Sequence, residues 1–197
     1  MQAEAERLES LLNVKSVDGG LHPSFGTRIR LIPLQDGRYI EIVEVLDHPA
    51  AEKVPYGQAV RARSNTGGGW LGWVISLEDL SPYESRLERK AVPGVRHFPD
   101  SRRLEWEQLG VKGLIADPQL PFFIRWISEP SIRPSALPAT VKLEEIEIAG
   151  SRERVEEWLD EDLPEVFDGV KISFDSPSGY PGLVSVTFST STGLVRI

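Results

Sequence analysis

The stretch Gly26 to Val45, GTRIRLIPLQDGRYIEIVEV, constrains this chain more than any other. Two runs rich in β-branched and aliphatic residues flank Asp36-Gly37, a dipeptide suited to the two positive-φ positions of a two-residue hairpin turn. Such a turn predicts a register in which Gln35 opposes Arg38, Leu34 opposes Tyr39, Ile32 opposes Glu41 and Arg30 opposes Val43. Side chains alternate across a strand, so this register sorts them onto two faces. Ile29, Leu31, Pro33, Ile40, Ile42 and Glu44 fall on one, suited to packing under a helix. Arg28, Arg30, Ile32, Leu34, Tyr39, Glu41 and Val43 fall on the other. That half-apolar surface, with two arginines, a tyrosine and a glutamate, suits the wall of a ligand pocket.

Composition bounds the rest. The 197 residues suffice for one domain or two small modules sharing a core. The absence of cysteine excludes disulfides, a thiolate metal site and a cysteine nucleophile, and fits a cytoplasmic location. No apolar run approaches the roughly 18 residues needed to span a bilayer. The acidic start MQAEAERLES lacks the basic and apolar regions of a signal peptide. A net charge of −8 argues against nucleic acid, which calls for a basic stripe. The basic patches Arg61-Ala62-Arg63 and Arg102-Arg103 are too short to change that.

Along the chain, residues 2–13 read as a helix with Leu8, Leu11 and Leu12 on one face. Gly19-Gly20 and His22-Pro23 read as a connection into the hairpin, and residues 50–69 as a linker loop. Gly67-Gly68-Gly69 lacks the spacing and lysine of a phosphate cradle and reads as a hinge. Trp70 to Leu77 reads as a strand. Ser81-Pro82-Tyr83-Glu84 reads as a helix start, with Ser81 as N-cap and Glu84 closing a capping box. Strands are expected at Arg103–Val111 and Pro121–Ser128. A C-terminal strand-helix-strand unit over 138–197 has strands at Lys142–Ala149, Gly169–Asp175, Gly182–Ser189 and Leu194–Ile197, with a helix at Ser151–Leu159. Hairpins mixed with single helices argue an α+β fold.

At this point a family resemblance emerges. His22-Pro23, Gly26-Thr27-Arg28 and Asp36-Gly37-Arg38-Tyr39-Ile40-Glu41 resemble the first module of glyoxalase-like domain proteins, in the vicinal-oxygen-chelate superfamily. Gly72-Trp73, Glu78-Asp79-Leu80 and Pro121-Phe122-Phe123-Ile124-Arg125-Trp126 are similar to the second module. The resemblance implies βαβββ modules whose curved mixed sheets enclose a pocket: a first module over 1–49, a second over 70–130, and the C-terminal unit, in one compact body. It also implies a homodimer. The family's opening strand precedes its first helix and is missing here, so the true start is expected upstream of Met1 or the first sheet is incomplete. In metal-using members a divalent ion is held by His, Gln and Glu. Here the second-module counterpart of Glu41 is Arg125, whose fixed charge repels a cation.

The expected ligand-binding residues are therefore Arg28, Arg30, Tyr39, Glu41, Trp106, Arg125 and Trp126, around a small organic molecule bearing an anionic or carbonyl group, without a metal. If a divalent metal is used, Glu41 is an expected ligand, with His22 or an acid such as Glu145 completing the site. That alternative makes the protein a lyase, isomerase or dioxygenase. A third reading is an interaction protein whose incomplete sheet recruits a strand. His48 and His97 read as surface residues, and Trp158 as helix core. No G-x-S-x-G elbow or HExxH pair is present.

Overall fold

The computed structural model describes residues 1–98, 102–175 and 180–197. Helix α1 (Gln2–Leu12) buries Ala5, Leu8 and Leu12 and ends at Asn13, whose φ of 53° is left-handed. Strands β1 (Val17–His22), β2 (Thr27–Leu34) and β3 (Arg38–Val45) then form an antiparallel sheet in chain order. The stretch expected as a connection is thus strand β1. Its glycines hide it from strand propensity, and they accommodate a bulge between Asp18 and Gly20.

The β2–β3 hairpin is as expected in place and differs in register. Asp36 and Gly37 take φ of 59° and 71°. The ladder, however, closes at Leu34–Arg38, so Gln35 belongs to the turn. Gln35 is held out of the ladder by residues far along the chain: its N–H donates to the Val141 carbonyl at 2.7 Å and its side chain to the Thr140 carbonyl at 3.1 Å. Ile32 therefore pairs with Ile40, Leu31 with Glu41 and Ile29 with Val43. One residue of slip exchanges the faces of one strand relative to the other. Arg28, Arg30, Ile32, Leu34, Ile40, Ile42 and Glu44 share one face. Thr27, Ile29, Leu31, Pro33, Tyr39, Glu41, Val43 and Val45 share the other.

The expected linker loop is instead two helices, α2 (Pro49–Lys53) and α3 (Pro55–Asn65), each with proline in its first turn. Exposed His48 caps α2, its Nδ1 accepting from Ala50 N at 3.2 Å. Gly57 lets α3 close on its neighbours, since a Cβ there would lie 2.4 Å from the Phe25 carbonyl oxygen and 2.6 Å from Ala51 Cα. Gly67, Gly68 and Gly69, all at positive φ, follow the end of α3.

The second sheet contains β4 (Val74–Ser76), β5 (Val92–His97), β6 (Arg103–Leu109) and β7 (Phe122–Trp126), in the order β4-β7-β6-β5. Helix α4 (Ser81–Arg86) follows β4, and α5 (Gly113–Ala116) precedes β7. The expected strand from Trp70 shortens to β4. Trp70 and Trp73 instead donate their indole N–H groups to the carbonyls of Ile197 and Gln119, at 3.1 and 2.9 Å. The capping box does not form. Leu80 is the N-cap of α4, Asp79 accepts from Ser81 N at 2.9 Å, and Glu84 accepts from Ala91 N at 2.7 Å. Pro93 is tolerated because β5 is an edge strand, and His97 lies exposed at its end.

β4 runs parallel to β7 and supplies the opening strand of its module. In the first sheet β3 holds the place of β7, and no strand among the described residues lies along its outer edge. The C-terminal unit has β8 (Lys142–Ala149), α6 (Arg152–Leu159), β9 (Val166–Phe167), β10 (Val170–Asp175), β11 (Gly182–Thr190) and β12 (Gly193–Arg196). They are ordered β12-β11-β8-β10-β9, with α6 crossing between the parallel strands β8 and β10.

The main core joins α1, Ile32, Leu34, Ile40 and Ile42 of the first sheet, Leu109 and Phe123 of the second, and Ile146, Ile148, Val155, Trp158 and Phe188 of the third unit. Trp158 stacks on Phe123 at 6.0 Å and donates to the Pro121 carbonyl at 2.8 Å, so its polar edge is satisfied inside the core. A smaller core gathers Phe25, Tyr56, Ala59, Val60, Trp106, Leu114 and Ile124 around α3. No helix among the described residues is long and apolar enough to cross a membrane.

The second core generates a stability prediction. A Cβ on Gly94 would lie 2.2 Å from Trp106 Cε2, so the indole must move to admit it. Gly94→Ala is expected to destabilise the protein by about 1–3 kcal/mol through overpacking. Urea unfolding followed by tryptophan fluorescence measures this, with a shifted emission maximum in the folded variant.

Candidate functional site

β1 lies against β5, so the first and second sheets meet at these edges, and their curvature makes a shared concave side. β3 directs Tyr39 and Glu41 to it, since they alternate with the core residues Ile40 and Ile42. β1 contributes His22, which pairs with Thr27. β5 contributes Arg96, and β6 and β7 contribute Trp106 and Trp126, which pair with each other. α3 lies in this concavity and brings Tyr56 to Glu41. The phenol donates to Glu41 Oε2 at 3.5 Å, the long end of hydrogen-bonding distance.

Glu41 combines two properties. Its side chain is open to water. The protein around it is nonetheless dense enough to raise its carboxyl to about 7, through lost hydration, against the opposing pull of Arg96 and the Tyr56 hydroxyl. The Tyr56 and Tyr39 phenols are pushed well up by burial first and by the Glu41 charge second. Burial, aided by the Arg96 charge, pulls buried His22 down to about 4, so its ring is neutral at neutral pH. That ring sits 5.5 Å from Trp106 and 6.1 Å from Phe25, which makes it part of an aromatic wall.

Of the residues expected from sequence, Tyr39, Glu41, Trp106, Trp126 and His22 share this side. Arg28, Arg30 and Arg125 do not. The register turns Arg28 and Arg30 to the other face, where Arg28 meets Asp18 at 3.3 Å and Arg30 Nε donates to Ser16 Oγ at 2.9 Å. Arg125 pairs with Glu107 at 2.8 Å, opposite it on β6, on the face that carries Leu109 and Phe123 into the core. Glu145 meets Lys171 at 3.0 Å on the third sheet. Sequence reasoning missed Tyr56, inside the supposed linker, and Arg96, beside Pro93-Gly94. The alternation of β5 would have identified Arg96 had that strand been recognised.

A separate concavity lies elsewhere. An open groove of about 800 Å³ between α1 and residues 138–140 is lined by Glu6, Glu9, Asn13 and Lys15. Its principal acid, Glu9, is already engaged by Ser16 and Lys15, whose hydrogen bonds hold it down to about 2. It lacks the convergence of polar and aromatic groups seen around Glu41.

Comparison with known proteins agrees with this architecture. The model of the glyoxalase-like domain family matches residues 1–163. The chain belongs to the glyoxalase-like domain family. The crystal structure of a hypothetical protein from Staphylococcus aureus is similar in fold, with a TM-score of 0.68 at 16% identity over 92% of this chain and 89% of that one. No curated protein matches the chain. The fold is therefore α+β and of the vicinal-oxygen-chelate kind, as the sequence motifs implied.

Members of that superfamily often use a divalent metal, and the donors present here do not fit one. Among the described residues no three His, Asp or Glu side chains gather as a metal site. Glu41 has tyrosines and a guanidinium for neighbours, and His22 faces aromatic rings. A cation beside Glu41 would meet the Arg96 charge.

Glu41 and His22 give stability opposite pH slopes. His22 has an ordinary value of 6.5 and a folded value of about 4. Its contribution is full above pH 6.5 and is lost as pH falls towards 4, because the unfolded chain takes the proton first. Glu41 goes from 4.5 to about 7 on folding. Its contribution is full below pH 4.5 and is lost as pH rises through 7. His22→Phe is expected to reduce the stability lost between pH 7 and pH 4 by about 2–3 kcal/mol. Glu41→Gln is expected to gain stability over wild type as pH rises from 4.5 to 7, by about 1 kcal/mol because water in the concavity screens the charge. Urea midpoints measured across this range check both.

Proposed function

We propose that the concavity between the first two sheets binds a small organic molecule bearing an anionic or carbonyl group, through side-chain contacts that need no metal. The observation that carries this reading is the Glu41–Tyr56 pair, in which an exposed carboxylate meets a buried phenol beside a cluster of aromatic rings. Apolar walls with a few convergent polar groups are what small-molecule sites require. With its carboxyl held near 7, Glu41 is able to donate to a carbonyl when protonated and accept from a hydroxyl when ionised. The Tyr56 phenol, kept neutral by its surroundings, remains a donor across the physiological range. Half-exposed Trp126 supplies flat apolar contact, backed by buried Trp106 5.9 Å from it.

The test is a ligand screen on the full chain by thermal shift and tryptophan quenching, repeated with a chelator present. Hits are expected to survive chelation and to weaken roughly tenfold in Glu41→Gln or Tyr56→Phe, the loss of one buried hydrogen bond. Elemental analysis of the purified protein tests the metal-free part. Near-stoichiometric metal that disappears in Glu41→Ala would overturn it and return the metal-dependent lyase, isomerase or dioxygenase reading.

A further inference from the structure

Arg96 is 7% exposed, yet its Nε has no hydrogen-bond partner and its guanidinium makes no ion pair with any described residue. A buried arginine is almost always paired, because withdrawing a charge from water is costly. Burial duly pulls its pKa down, while Glu41 and Asp18 act on it only through longer-range attraction. The side chain is held in place. β5 fixes its backbone opposite Leu104, its guanidinium carbon sits 4.4 Å from the Phe98 ring centre, and a Cβ on Gly20 would lie 3.5 Å from its Nε. The glycine of β1 thus leaves room for the head group between the two sheets. A guanidinium held in place with no ion-pair partner among the described residues keeps hydrogen-bonding capacity that an anion would satisfy.

We propose that Arg96 anchors the carboxylate of a planar aromatic acid in this concavity, with Glu41 and Tyr56 receiving the acid's far polar group. The inference rests on the small-molecule reading above and specifies its ligand class. A monoanion fits better than a phosphate dianion, because one guanidinium already shares the field of Glu41 and Asp18. The planar fork of arginine matches a carboxylate through two parallel hydrogen bonds. The aromatic body follows from the rings on this side: Phe98 lies against the guanidinium, and half-exposed Trp126 stands 5.9 Å from Trp106, which is 5.5 Å from His22.

The test compares 4-hydroxybenzoate with its uncharged counterpart 4-hydroxybenzamide, by calorimetry and tryptophan quenching at pH 7.5, on wild type, Arg96→Met and Arg96→Lys. Wild type is expected to bind the acid at least about tenfold more tightly than the amide, Arg96→Met to lose that ratio, and Arg96→Lys to keep part of it. The ligand-free proteins give a second readout. Replacing an unpaired buried charge by methionine should raise the urea midpoint. Equal binding of acid and amide by wild type, with both weakened in Glu41→Gln, would overturn the anchor and leave the pocket standing. Binding of neither probe would count against both readings. A lowered midpoint in Arg96→Met would make Arg96 a structural support and overturn the anchor independently.

Discussion

Leu31 stands opposite Glu41 across the β2–β3 hairpin, and the rest of the molecule depends on that pairing. It sends Ile32, Leu34, Ile40 and Ile42 together into the core beneath α1, and it leaves Tyr39 and Glu41 on the concave side. A slip of one residue would put the isoleucines of one strand on the face of the tyrosine and glutamate of the other. The core cannot accept that, so register and burial enforce each other. The pin is not local to the hairpin. Gln35 is held by the carbonyls of Thr140 and Val141, which ties the turn to the approach of β8.

The second dependency is α3. The concavity of two curved sheets would be wide and wet without it. Small residues, Gly57 and Ala59, let the helix settle against Phe25 and Ala51, and its Tyr56 then reaches Glu41. The helix narrows the space to a site in which a carboxylate loses hydration without losing contact with water. This explains how lost hydration raises the Glu41 carboxyl to about 7.

Much of the fold was legible along the chain. α1, the β2–β3 hairpin, β6, β7 and, except for β9, the C-terminal strand–helix–strand unit follow from periodicity and turn residues, and the Trp158 core position was readable. The misses share a cause. β1 contains Gly19-Gly20, β5 contains Pro93-Gly94, and α3 has a weak apolar stripe, so local propensity is silent or contrary at all three. Their structure is set by tertiary contacts: a bulge, an edge position and a close helix approach. Those three elements carry His22, Arg96 and Tyr56, so the site was harder to read than the fold.

The sequence by itself determined most of the element types, the likeness to glyoxalase-like domains, and the presence of Tyr39, Glu41 and two tryptophans on strands able to line a pocket. Hydrophobic alternation and turn chemistry act over a few residues, so they are readable in order along the chain. Only the tertiary structure decided which arginine faces the concavity. Arg28, Arg30 and Arg125 were the arginines expected from the sequence, and each is turned away by register and paired with a neighbour. Arg96 is placed there by the meeting of two sheet edges. A strand's face is fixed by its partners' cores, and that information is spread over the whole chain.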